Sequence, residues 1–243
     1  MTSFLLALQF LTIVPLKIND VSEKKIAWAM VFFPLVGLIL GLTLSGINAL
    51  LLILNFPALA VNIILVVALI AITGGMHMDG LSDTSDAFLS GKPRDEMLAI
   101  MRDSHIGVMG VLSIVSVILL KVGLLISVAA PLKIIALILA CVLSRWSSAL
   151  AIFLFPYARK DGKARIFTEG MNLNIFALSS IMVILFAFAI WRLKGMFALL
   201  IVAGCVYLGG RFSNRKIGGI TGDTLGAAIE LTEVVTLFIV CVG

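Results

Sequence analysis

Seven times along this chain an apolar run appears that is long enough, or nearly so, to cross a lipid bilayer. The runs fall at 27–54, 56–75, 107–129, 132–155, 173–191, 196–209 and 225–242, and the sixth is short. A spanning helix needs about 17–25 apolar residues. Inside the hydrocarbon no backbone N–H or C=O can go unpaired, so such runs fold as helices. The expected fold is therefore all-α, a polytopic membrane bundle of about seven spanning helices (six to eight) with short interfacial helices. No polar stretch between the runs is long enough for a soluble domain, so 1–243 is read as a single membrane domain. Composition agrees: only 13% of residues are charged, against about 25% in soluble domains.

Residues 1–16 are apolar but lack the basic leader and cleavage site of a signal peptide, which suits an interfacial or re-entrant segment. Cys141, Cys205 and Cys241 fall in expected spans without metal-like spacing and read as small buried apolar residues.

Orientation follows from Lys and Arg, which favour the cytoplasmic side. With the N-terminus inside, 13 of the 18 basic residues collect there: Lys17, Lys24, Lys25, Lys92, Arg94, Arg102, Arg159, Lys160, Lys163, Arg165, Arg211, Arg215 and Lys216. Arg192 and Lys194 are the exception outside. The net charge of +5 is then explained by orientation and anionic lipid rather than nucleic acid. Three polar segments, 76–106, 156–172 and 211–224, face the cytoplasm, and only short links face the other side. A channel needs polar groups through its full depth; an enzyme at one leaflet does not.

The first polar segment holds a concentration of acid. Six of the chain's 13 acidic residues lie between Asp79 and Asp103, and its only two histidines, His77 and His105, frame them. Asp79, Asp83 and Asp86, spaced four and three apart, share about 60° of one helical face. Three carboxylates so placed repel one another unless a cation lies between them. Oxygen donors favour Mg²⁺, or Mn²⁺, over zinc. Asp103, at the entrance to the next span, reads equally as a fourth carboxylate or as that span's N-cap. Asp95 and Glu96, after Pro93, read as helix-start charges. His77 is a candidate general base, ligand or substrate hydrogen-bonder.

Two basic loops lie nearby. Arg159, Lys160, Lys163 and Arg165 surround Asp161-Gly162; Arg211, Arg215 and Lys216 precede Gly-Gly-Ile-Thr-Gly-Asp at 218–223. Basic side chains beside glycine turns hold phosphates, although orientation alone also places cations here. Lys121, Arg145, Glu230 and Glu233 fall within spans, where such charges pair or face a cavity. Pairing suffices for Lys121; Arg145 reads equally as site-facing.

Together these segments resemble the cobalamin synthase family, the adenosylcobinamide-GDP ribazoletransferases. The resemblance rests on Gly-Gly-Met-His-Met-Asp-Gly-Leu-Ser-Asp-Thr-Ser-Asp at 74–86 and Ile-Met-Arg-Asp-Ser-His-Ile-Gly at 100–107. It extends to Ser-Arg-Trp at 144–146, Pro-Tyr-Ala-Arg at 156–159, Gly-Gly-Ile-Thr-Gly-Asp-Thr-Leu-Gly-Ala at 218–227 and Leu-Gln-Phe-Leu-Thr at 8–12. Ala87 stands where the family usually has Gly, and His105 where Arg is expected; only a protonated His imitates that Arg.

The resemblance implies a Mg²⁺-dependent enzyme of the cytoplasmic (inner) cell membrane. It joins adenosylcobinamide-GDP to α-ribazole or α-ribazole 5′-phosphate and releases GMP. Asp79, Asp83, Asp86 and Asp103 would hold metal, and His77 or Asp103 would serve as base. Arg102, Ser104, His105, Arg145, Arg159, Arg211, Gly219, Thr221 and Asp223 would contact substrate. The oligomeric state is left open, a homo-oligomer included. The rival readings are a phospholipid-making CDP-alcohol phosphotransferase, whose Ala-Arg after Asp-Gly is lacking here, a divalent-cation transporter, and a purely structural membrane subunit.

Overall fold

The structure, a computed structural model, describes residues 1–243 except Asp20 and Lys163. Its helices are α1 (Thr2–Leu11), α2 (Glu23–Ala29), α3 (Phe33–Ile53), α4 (Ala58–Ile72), α5 (Met76–Leu89), α6 (Arg94–Ile100), α7 (Val108–Ser127), α8 (Lys133–Leu154), α9 (Arg165–Gly170), α10 (Leu173–Ile217) and α11 (Gly222–Val242). A single parallel bridge, Tyr157 with Ile220, is the one β-type pairing among the described residues.

Five stretches are long and apolar enough to cross a membrane: Glu23–Ile53, Val108–Ser127, Ala130–Leu154, Leu173–Ile217 and Gly222–Val242. The helices α4 and α5 are long and apolar enough only as a pair, bent 89° from each other, and taken together they make a sixth candidate. The 45-residue α10 is a hairpin. Trp191 (φ −141°, ψ 24°) and Arg192 (φ 49°, ψ −135°) leave helical geometry, and a Cβ on Gly195 would strike the Ala187 carbonyl. Its two arms, 173–190 and 193–217, therefore run back to back. Their far ends meet the C-terminal end of α8, where Phe153 stacks on Phe176 (centroids 4.1 Å) and Phe155 packs near Tyr207 (6.2 Å). The described residues thus hold five to six candidate crossings, and the seven expected from hydropathy are reached only if the two arms of α10 cross separately.

The central helix is α8, 89% of whose spanning window is buried, against 22% for α7 and α10. It packs on α3 through Gly37 and Gly41, one turn apart. A Cβ on Gly37 would hit the Cys141 carbonyl, and one on Gly41 would sit 2.5 Å from the Ile138 Cα. In lipid, where no hydrophobic drive separates helix from tail, such small-residue stripes let backbones approach closely. The segment expected to be interfacial forms α1, whose Ala7 and Leu11 are buried while Phe10 packs on Phe33 and Phe167.

Inside the bundle the four spanning charges pair with one another. Lys121 Nζ donates to Glu230 and, at 2.5 Å, to Glu233 Oε2. Arg145 Nη1 donates to Glu233 Oε1 and to Ser144 Oγ (2.7 Å). Two positive charges thus face two negative ones. Arg145 has no exposed surface and pairs with Glu233 inside the bundle, while its Nε and Nη2 have no hydrogen-bond partner among the described residues.

Candidate functional site

Gly74 and Gly75, with φ of +65° and +71°, turn the chain out of α4 and into α5. The positive φ is open to glycine at no steric cost, and two in succession make the sharp bend. The α5 axis then crosses the start of α11 in direct backbone contact. A Cβ on Gly80 would meet the Asp223 carbonyl at 2.7 Å, and one on Gly226 would meet the His77 carbonyl at 3.2 Å. These two glycines bring Asp223 beside the aspartates of α5.

The result is an acidic group at one end of the bundle. Asp83, half-buried, has its pKa raised to about 7, by burial first and then by the charges of Asp79, Asp223 and Asp86, with Arg159 opposing. Asp79 is exposed, and neither its carboxylate nor that of Asp83 has a hydrogen bond or ion pair among the described residues. Asp223 pairs with Arg159 Nη2 through Oδ2 (2.8 Å) and accepts from Thr221 Oγ1 (3.3 Å) on the same oxygen. Its Oδ1 has no hydrogen-bond partner among the described residues.

Asp86 behaves differently from its two neighbours. Its Oδ2 accepts from Gly107 N and its Oδ1 from Gly110 N, both at 2.8 Å. These are N-terminal amides of α7, so Asp86 supplies, from another helix, the cap that α7 lacks in its own sequence. Gly107 and Gly110 are small for this reason: a Cβ on either would strike the Asp86 carboxylate. Asp103, which the sequence offered as this cap, does not take that place.

Asp103 lies in the exposed loop between α6 and α7. Its Oδ1 accepts from His105 N (3.0 Å) and sits 2.6 Å from the His105 Nδ1. The pairing lowers the Asp103 pKa and raises that of His105, whose imidazolium it favours. Asp103 does not join the charges acting on Asp83. Arg102 and Ser104 are exposed in the same loop.

The remaining residues singled out from sequence take structural places or lie elsewhere. His77 is only 4% exposed and faces α11, with Arg145 and Glu233 the leading charges acting on it; it is not open to a substrate hydroxyl. Thr221 is fully buried and caps α11 in a reciprocal box with Thr224. Gly219 lets the turn approach the Pro156 carbonyl, and its own carbonyl accepts from Ser213 (2.7 Å). Arg211 stands exposed on α10 against the Tyr207 hydroxyl (3.3 Å). Lys163 lies outside the described residues. Asp95 and Glu96 sit in the first turn of α6, with Pro93 as its N-cap.

Sequence reasoning missed Arg94, whose Nε donates to the Ile217 carbonyl (2.7 Å) and Nη2 to the Ala158 carbonyl (3.0 Å), tying three segments together. Asp223, expected as a substrate contact, lies beside the α5 aspartates because Gly80 of α5 and Gly226 of α11 let the two helices touch.

The donor set fits a hard divalent cation in chemistry. Carboxylate oxygens crowd one another, and Asp79 and Asp83 form no ion pair among the described residues, Arg159 acting on Asp83 only from a distance. As placed, no three His, Cys, Asp or Glu side chains among the described residues form a ready-made metal cage.

The fold is that of a polytopic, all-α membrane bundle with a group of acidic side chains at one end. The chain matches the cobalamin-5-phosphate synthase profile over residues 3–241 and belongs to that family. Among its relatives, an adenosylcobinamide-GDP ribazoletransferase of Roseiflexus sp. (strain RS-1) is 40% identical, covering 95% of this chain and 86% of its own. Proteins of the same name from Desulforamulus reducens (34% identical, 100% and 97% covered) and Klebsiella pneumoniae subsp. pneumoniae (39%, 97% and 97%) match as fully. No solved structure matches. The family makes this chain a transferase of cobalamin biosynthesis.

Proposed function

We propose that this chain joins adenosylcobinamide-GDP to α-ribazole, or to its 5′-phosphate, and releases GMP, with Mg²⁺ as cofactor and the acidic end facing the cytoplasm at the inner membrane. One observation carries the site assignment. Asp79, Asp83 and Asp223 converge from two helices, with Arg159 beside them, at the end of the bundle that bears the polar segments.

In the reaction the ribazole hydroxyl oxygen bonds to the cobinamide-side phosphorus. The bond from that phosphorus to the GMP phosphate oxygen breaks, and the hydroxyl proton passes to a base. A bound Mg²⁺ would neutralise charge on the pyrophosphate and on the departing phosphate. Asp79, Asp83 and the Oδ1 of Asp223 would hold it. Arg159, anchored by Asp223 at 2.8 Å, is placed to pair with a phosphate oxygen. Asp86 holds the first turn of α7 in place and so sets where the 103–107 loop begins. For the proton we assign the Asp103 carboxylate of the exposed Asp103–His105 pair over buried His77, because a base must reach the hydroxyl and the pairing keeps His105 as the protonated member. No observation favours the CDP-alcohol or transporter reading.

The direct test is GMP release from adenosylcobinamide-GDP and α-ribazole by the protein in liposomes, with and without Mg²⁺. Turnover that persists in chelator sinks the cofactor assignment. Absence of GMP with both acceptors sinks the reaction.

A further inference from the structure

Between the second arm of α10 and α11 lie two apolar hollows of about 620 and 430 Å³, which share Val234 and Val235. They form one groove along the bilayer-facing side of the bundle. The half nearer the acidic end falls within the roughly 300–1,000 Å³ range of pockets that hold small ligands. Buried Val206 and Leu225 line it, and half-exposed Leu231 and Phe212 edge it toward lipid.

The mouth of this half is cationic. Phe88 and Phe212 meet edge to face, with centroids 5.6 Å apart. The Lys216 ammonium stands 5.6 Å from the Phe212 ring centroid and reaches the Phe88 carbonyl at 3.4 Å. Arg211 and Arg215 are exposed on the same last turns of α10. None of these three cations has a carboxylate partner among the described residues. Positive-inside topology accounts for cations at this level, but not for an apolar slot of this size opening beneath them.

We propose that this half-groove seats one phospholipid with an anionic headgroup, an acyl chain lying between α10 and α11 and the headgroup phosphate at Lys216. The charges choose the occupant. Basic residues near a bilayer surface attract anionic lipid. A second copy of the chain docked by a two-fold axis through this face would instead bring the two sets of Arg211, Arg215 and Lys216 together. The seat touches the proposed catalytic helix directly. Thr84, next to Asp83, lines it, and the Thr84 hydroxyl is buried without a partner.

Native mass spectrometry of the whole chain, released from micelles with defined lipids, tests this without relying on turnover. Phosphatidylglycerol should be retained over phosphatidylcholine by about tenfold, the ratio about 1.4 kcal/mol gives. Lys216→Ala should reduce that retention about fivefold, since one basic residue near the surface contributes about 1 kcal/mol. Gly209→Leu should abolish it: Gly209 lines the groove, and a Cβ there meets nothing within 4 Å, so the new side chain fills the slot without disturbing the fold. Circular dichroism checks that both variants stay helical. Equal retention of the two lipids overturns the proposal, as does retention unchanged in Gly209→Leu. A dimer dispersed by Gly209→Leu would give the face to a second copy. Displacement of the lipid by adenosylcobinamide-GDP would give it to the substrate.

Discussion

Two groups of charges occupy this bundle, and they are built on opposite plans. In the interior, Lys121, Arg145, Glu230 and Glu233 are at most 5% exposed and closed on one another, each with a partner of opposite sign. At the acidic end, Asp79 and Asp83 are open to solvent in part and have like-charged neighbours, and only Asp223 of the group has a cationic partner. Both groups are rare acids in an apolar chain, so composition treats them alike. Compensation separates them. Buried charges left unpaired would be too costly to keep, so the interior set must satisfy itself. A set left uncompensated where solvent can reach it stays available for a ligand.

The contrast can be broken by mutation, and the interior should yield most. Glu233→Gln leaves Arg145 without its carboxylate partner and Lys121 with Glu230 alone, and removing one partner of a buried pair costs about 3–5 kcal/mol. Its unfolding midpoint in detergent should collapse, even where substrate is saturating. Asp83→Asn should do the reverse. Turnover should fall by about two to three orders of magnitude, the loss seen when one preorganised electrostatic group is removed. The unfolding midpoint in Mg²⁺-free buffer should hold or rise, because a repelling carboxylate has gone. A parallel loss of stability in Asp83→Asn would erase the distinction drawn here.

Asp86 lies between the two plans, an acid of the α5 stripe whose oxygens both serve backbone amides. Asp86→Ala should cost about 1–2 kcal/mol of stability, as helix caps do, together with a partial loss of turnover. Should Asp86→Ala match Asp83→Asn in activity at unchanged stability, it belongs with the proposed metal-holding set instead. The smallest effect is expected at the surface. Lys92→Ala removes an exposed pair with Glu96 (3.4 Å) and should shift stability by no more than about 0.5 kcal/mol in the same melting assay.

Much of this was legible in the order of residues. Hydropathy placed the candidate crossings, including the short one at 196–209, because apolar length is imposed by the bilayer itself. The reversal at Trp191–Arg192 was readable as a break between two runs. The α5 stripe was readable from helical spacing. The partners of those aspartates were not. Asp223 lies 140 positions beyond Asp83, and its closeness depends on Gly80 and Gly226 letting two helices touch. His77 and Arg145 looked chemically eligible, and the sequence carried no sign that both are buried.

By itself, then, the sequence determined that this is a helical membrane protein of about seven apolar runs with its acids gathered at one end, since periodicity and hydrophobic length act locally. Only the tertiary structure decided which acids stand together. It moved Asp103 out of the group, gave Asp86 to the cap of α7 and brought Asp223 in. The physical reason is that electrostatic partnership depends on distance in space, and helix crossings, not sequence spacing, set that distance.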